Sequence, residues 1–344
     1  MNMKQWVKGV IDDPEKKAVP VLSFPCISLM GITVNDLVND SELQAKGMKL
    51  VADKVPTGAA VSMMDLSVEA EAFGSTIRYS DDEVPTVIGK IVEDLDAAES
   101  LVIPAVGTGR TGKYITAIEQ VCTMITDRPI LAGIIGPFSL AGRLMDVSEA
   151  MINCYEEPEM VHEVMKKATT FLIDYANAYK RVGANGIVMA EPLTGLLSPD
   201  LAEEFSEPYV KEIIDAVQDE DFAVIYHNCG NNVVRMVDSI IRIGAVGYHF
   251  GNSINMSDIV SKMPADVLVM GNVDPAGELC NGTPQSIKNT TQAIMESCSA
   301  YPNFVISTGC DIPPASSWEN IEAFFNAVDA FYLEKKTGIA KIKV

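Results

Sequence analysis

Phe222-Ala223-Val224-Ile225-Tyr226-His227-Asn228-Cys229-Gly230 is an apolar run that ends in an imidazole, a thiol and a glycine. The run reads as a buried strand meeting a glycine-marked turn. Residues i and i+2 of a strand project to the same side, so His227 and Cys229 point together beyond the strand end. That is half a metal site. A third soft donor follows another apolar run, where Phe304-Val305-Ile306 leads into Ser307-Thr308-Gly309-Cys310-Asp311-Ile312-Pro313-Pro314. One imidazole and two thiolates form an N/S/S set of the kind that holds zinc with a coordination place left open for chemistry. A strand-end cysteine is by itself more often plain core, and the long interval between Cys229 and Cys310 matches no finger spacing. Only the fold can bring the three together.

Outward from this stretch the chain alternates strand-like and helix-like segments. Val19 to Phe24 reads as a first strand, with a helix from about Asp40 to Lys54, and Ala59 to Asp65 reads as a second strand. Leu66 to Gly112 is an irregular excursion with a short helix near Ile91 to Ser100. Ile130 to Gly136 makes a third strand. Val161, Val164, Met165, Ala168, Leu172, Tyr175 and Tyr179 then mark a helix with an apolar stripe of period 3.6, opened by Pro158 and closed by Gly183. Gly186 to Glu191 follows as a strand, and Ser198-Pro199 caps a helix through Val217. After the His-x-Cys strand come a helix around Asn232 to Ile243, strands at Ala245 to Phe250 and Asp266 to Asn272, a helix opened by Thr283-Pro284, and the strand at Phe304 to Ser307. The last helix starts at Ser316-Ser317-Trp318-Glu319, read as a capping box of Ser316 with Glu319. Eight βα units predict a (β/α)8 TIM barrel, an α/β fold, as one domain over residues 1–344 with an N-terminal helical extension.

Chemistry on a TIM barrel gathers at the carboxyl ends of the strands. The residues expected there are Asp65, Glu191, His227, Cys229, His249, Asn272, Asp274 and Cys310. Asp65 and Glu191 each end a strand and are the expected catalytic carboxylates, orienting a substrate or supporting a metal ligand. Asn272, Asp274 and His249 form the expected cofactor-facing set, with turn geometry or core packing as the alternative. Glu69 and Glu71 read equally as a solvated helix face or as substrate-binding groups.

Composition narrows the partners. Among 344 residues, 26 Lys and Arg stand against 47 Asp and Glu, a net charge of −21. Nucleic acid and anionic membrane both call for a cationic surface, so neither is expected. No apolar run approaches the ~20 residues of a membrane span, and the charged N-terminal stretch does not read as a secretory signal. Seven cysteines without framework spacing suggest reduced thiols and a cytoplasmic protein.

His227-Asn228-Cys229-Gly230-Asn231, Met64-Asp65-Leu66-Ser67-Val68-Glu69-Ala70-Glu71-Ala72-Phe73-Gly74, Gly271-Asn272-Val273-Asp274-Pro275 and Ser307 to Pro313 together resemble the uroporphyrinogen decarboxylase superfamily, and within it the corrinoid-dependent methyltransferases. The resemblance covers nearly the whole chain. It implies a TIM barrel, and a zinc ion held by His227, Cys229 and Cys310 that binds and activates the methyl acceptor. It also implies a methylated corrinoid of the methylcobalamin type carried by a separate corrinoid protein, and a small acceptor, either a thiol such as coenzyme M or tetrahydrofolate. Two related activities remain open: demethylation of a methoxylated or methylated substrate onto a corrinoid protein, and a uroporphyrinogen decarboxylase-like lyase. The decarboxylases hold their polycarboxylate with an arginine-bearing motif near the N-terminus. Here Pro25-Cys26-Ile27-Ser28-Leu29-Met30-Gly31 has none, and the first arginine is Arg78.

Overall fold

Parallel strands with helical crossovers form the body of the protein in a computed structural model that describes residues 1–337. Residues 338–344 of the expected domain lie outside the described residues. The strands are β1 (Ala60–Val61), β2 (Thr76–Arg78), β3 (Thr86–Ile88), β4 (Ile130–Ile135), β5 (Gly186–Ala190), β6 (Ala223–Asn228), β7 (Gly247–Phe250), β8 (Leu268–Val273) and β9 (Phe304–Thr308). Seven of them form one parallel sheet in the order β1-β4-β5-β6-β7-β8-β9, while β2 and β3 make a separate antiparallel hairpin in the excursion after β1.

The expected first strand, Val19 to Phe24, is corrected: it occupies the eighth place of the barrel without joining a ladder. Val19 N–H donates to Ile306 O of β9 (3.1 Å), and Gly58 N–H donates to Ala18 O on the approach to β1 (2.8 Å). Pro20 has no N–H to offer, and Val21 N–H turns to the Thr308 side chain (3.2 Å). The sheet is therefore not closed by a ladder here, and scattered hydrogen bonds through this segment bridge its two edges.

Side-chain parity separates two cores. Val188 and Ala190 of β5, Ala223 and Ile225 of β6, Leu268 and Met270 of β8 and Val305 of β9 share the smaller one, inside the barrel. The alternate residues, such as Ile187, Met189, Val224, Val269 and Ile306, belong to the larger core beneath the helices. The expected N-terminal extension is the helix Met3–Asp12, capped by Asn2. Its buried Met3 and Val7 join the inner core, and its first amides donate to Glu220 O just ahead of β6 (2.7 and 3.1 Å), so it plugs the end of the barrel opposite the chemistry.

The helix Pro158–Arg181 buries every residue of the expected stripe. Two other expectations shift. The helix through Val217 is broken into Pro199–Phe205 and Glu207–Val217, because Pro208 can neither donate to the preceding turn nor fit inside it. The last helix begins at Trp318, so Ser317 rather than Ser316 is the cap, its Oγ accepting from Asn320 N–H at 3.2 Å, and Ser316 Oγ is buried without a partner. Among the described residues no helix is long and apolar enough to cross a membrane.

Candidate metal centre

Inward parity on β6 runs Ala223, Ile225, His227, so the apolar filling of the barrel gives way to an imidazole at its open end. Register sets His227 beside His249 of β7, and Asn272 of β8 beside Ser307 of β9. The strand direction carries Cys229 just past His227, and Cys310 lies two residues beyond β9. Candidate ligand atoms of His227, Cys229 and Cys310 all lie within 4.8 Å of one another, with Cys310 Sγ 3.6 Å from His227 Nε2. Zinc–sulfur bonds of ~2.3 Å and zinc–nitrogen bonds of ~2.0 Å at tetrahedral angles call for ligand separations of roughly 3.5 Å, so the three residues fit one ion.

The thiols are already coupled. A hydrogen bond from Cys310 brings the Cys229 thiol down to about 7, and the same contact together with burial pushes Cys310 up to about 12. A divalent cation between the two sulfurs would favour the thiolate form of both. The Cys229 turn has no slack. A Cβ on Gly230 would lie 2.3 Å from Gly195 Cα, and one on Gly251 would lie 2.5 Å from both Cα and Cβ of Cys229. Backbone from the loops after β5 and β7 thus clamps the ligand-bearing turn.

His249 is buried beside His227, their Nδ1 atoms 2.7 Å apart, with its Nε2 2.7 Å from Ser307 Oγ. Burial, and then the neighbouring imidazole, hold His249 well below the usual histidine range. Asn272 Nδ2 donates to Gly251 O and Ile254 O, both at 2.9 Å, and so ties the loop after β7. Asp274 Oδ1 accepts from the Ala276 and Gly277 amides, opening the short helical turn Pro275–Cys280.

Asp65 sits in a separate buried network that includes a residue the sequence reading missed. Its Oδ1 accepts from Ser67 N–H (3.1 Å) and Ser67 O–H (2.5 Å), and its Oδ2 accepts from Arg110 Nη1 and from Tyr114 O–H (3.0 Å). Arg110 also donates through Nε to Glu71 (2.7 Å) and through Nη2 to Ser67 Oγ (2.7 Å). Glu71 is thus ion-paired. Glu69 departs from a solvated face altogether: it is fully buried, Oε1 accepts from Ile135 N–H at 3.0 Å, Oε2 has no partner, and burial raises its carboxyl to about 7. Glu191 accepts from Phe138 N–H (2.9 Å), Ser139 N–H (2.6 Å) and Ser139 O–H. It is a carboxylate lent by β5 to the first turn of the helix Pro137–Met145, where unpaired amides and the helix dipole favour it. Burial nonetheless raises it to about 7.

A parallel α/β barrel whose strand ends bring one imidazole and two thiols together defines a TIM-barrel protein with a cluster of soft donors at its mouth. The profile of the uroporphyrinogen decarboxylase (URO-D) family matches residues 18–331, and the chain belongs to that family. It is 27% identical over 265 residues, 75% of each chain, to the methylcobamide:CoM methyltransferase MtbA of Methanosarcina acetivorans. It is 24% identical over 302 residues to the uroporphyrinogen decarboxylase of Alcanivorax borkumensis, covering 85% of this chain and 84% of that one. Its fold is that of a solved methyltransferase from Methanosarcina mazei, with a TM-score of 0.84 at 24% identity over 96% of this chain and 99% of that one.

Proposed function

We propose that this protein is a zinc-dependent methyltransferase that moves a methyl group from a methylated corrinoid, carried by a partner protein, to a small thiol. The convergence of His227, Cys229 and Cys310 within 4.8 Å at the barrel mouth carries the reading. Zinc held there supplies a Lewis acid that keeps a bound acceptor sulfur as thiolate at neutral pH.

The chain's own residues do the rest. Two thiolates and one imidazole would balance the charge of a divalent cation and leave it able to take the acceptor as a further ligand. The ends of β6 and β9 hold these donors rigidly, so the acceptor sulfur is fixed facing the open mouth. A corrinoid docked at that mouth would supply the methyl group, the acceptor sulfur bonding to its carbon while the electron pair of the cobalt–carbon bond would stay with the cobalt. Asp65, Asn272, Asp274 and Glu191 serve by shaping the mouth, since their hydrogen bonds go to the chain itself. Seven free cysteines and a thiol acceptor suit the reducing cytoplasm.

The test combines metal analysis with turnover of free methylcobalamin. Near one zinc per chain is expected, with loss of the methyl group when coenzyme M or a related thiol is added and a new zinc–sulfur contact by X-ray absorption. Methyl loss only to tetrahydrofolate, or only methylation of the corrinoid from a methoxylated compound, would shift the substrate assignment. Porphyrinogen decarboxylation by zinc-free protein would overturn it.

A further inference from the structure

Behind the candidate ligands a line of hydrogen bonds ends on the backbone. Ser307 Oγ is 2.7 Å from Val19 O, which can only accept, so the single Ser307 proton is committed to it. Toward His249 Nε2, also 2.7 Å away, Ser307 offers a lone pair. His249 Nε2 therefore carries a proton. The ring is 2% exposed, and the proton between the two Nδ1 atoms belongs to His227, whose Nδ1 also faces the His249 carbonyl, which can only accept. His249 Nδ1 is then bare and accepts from His227 Nδ1 at 2.7 Å. A second acceptor, His249 O, lies 3.3 Å from the same His227 Nδ1. With its proton on Nδ1, His227 has a free lone pair on Nε2, the atom that faces Cys310.

We propose that Ser307 and His249 are positioning residues that fix His227 in the Nδ1–H tautomer and so make Nε2 the metal-ligating atom, with the Val19 carbonyl as the anchor. The inference rests on the zinc reading above but extends it from three ligands to the line of groups behind them. Outer partners of this type commonly govern metal affinity by 10- to 100-fold.

The chain has only three histidines, His162, His227 and His249, so histidine-labelled nitrogen NMR can read each ring separately. In the metal-free wild-type protein His227 is expected to be protonated on Nδ1 and His249 on Nε2. In chelator competition His249→Phe should weaken zinc binding roughly 10- to 100-fold. His249→Asn, whose Oδ1 can take the place of the lost acceptor, should recover much of that loss, which a merely structural role for the ring would not produce. Ser307→Ala should leave a mixture of tautomers at both rings. An Nε2–H pattern at His227, or wild-type zinc affinity in a folded His249→Phe protein, overturns the inference. Failure of the wild-type protein to bind zinc would instead defeat the functional reading, while the tautomer pattern of the metal-free protein could still stand.

Discussion

Arg110 and Asp65 form an ion pair through Nη1 and Oδ2 with side-chain exposures of only 2% and 0%. Charges taken so far out of water are held by their partners, so removing one leaves the other uncompensated. Arg110→Met should cost about 3–5 kcal/mol of stability by urea denaturation, and the double variant with Asp65→Asn should recover part of it. A loss under ~0.5 kcal/mol for Arg110→Met would show the pair to be dispensable to the fold.

An N/S/S site has no spare donor. Cys310→Ala should lower the zinc content well below one per chain and weaken affinity by more than roughly 100-fold, beyond the range of an outer-sphere change. Cys298→Ala, at a buried position on the helix Pro284–Cys298, should keep the metal and lose about 1 kcal/mol of stability. Full zinc occupancy in Cys310→Ala would remove that residue from the ligand set.

The clamp on the Cys229 turn predicts a glycine effect out of proportion to one methyl group. Gly230→Ala must push backbone against backbone at Gly195, and so displaces the turn. A loss of about 1–3 kcal/mol is expected, together with weaker zinc binding in chelator competition. If thermal unfolding and zinc affinity both match wild type, the two loops do not hold the ligand in place.

Glu69 gives stability an inverted pH response. Its folded carboxyl titrates near 7 against an ordinary 4.5, so between those values the folded chain holds a proton that the unfolded chain has released. The stability that Glu69 contributes therefore falls by about 3 kcal/mol as pH rises through that window and levels off above 7, and Glu191, raised to the same range, adds to the fall. Glu69→Gln should make this part of the profile shallower by its own share and be more stable than wild type at pH 8. Parallel urea curves for the two proteins from pH 5 to 8 would count against the buried, protonated acid.

The sequence shows the barrel because its inner strands are uninterrupted apolar runs with glycine-marked ends, and it points to His227, Cys229 and Cys310 as a cluster because each lies at or just past the end of such a run. It misplaces Val19 to Phe24 because composition favours a strand while Pro20 denies the ladder its donor. Arg110 is invisible in the sequence: its partner Asp65 lies 45 positions away, across a loop with no periodicity. Glu69 misleads for a related reason, since Val68-Glu69-Ala70-Glu71-Ala72 has the polarity of a solvated turn yet is folded under the barrel mouth. Glu191 was readable as a strand-end carboxylate, but not as the cap of a helix more than fifty residues earlier. Hydrogen bonds between distant segments leave no local pattern to read.

The seam beside β9 links the wall of the barrel to its contents. Ile306 O receives the Val19 amide, Val19 O receives Ser307, and Val21 O receives the Ile312 amide at 3.0 Å, just past Cys310. An ion held jointly by His227 and Cys310 would draw on the bridged form of this wall and by mass action favour it, by about 2.7 kcal/mol at a hundredfold excess over its dissociation constant. Hydrogen exchange at the Val19 and Ile312 amides should therefore slow on metal loading, although neither residue touches the ion.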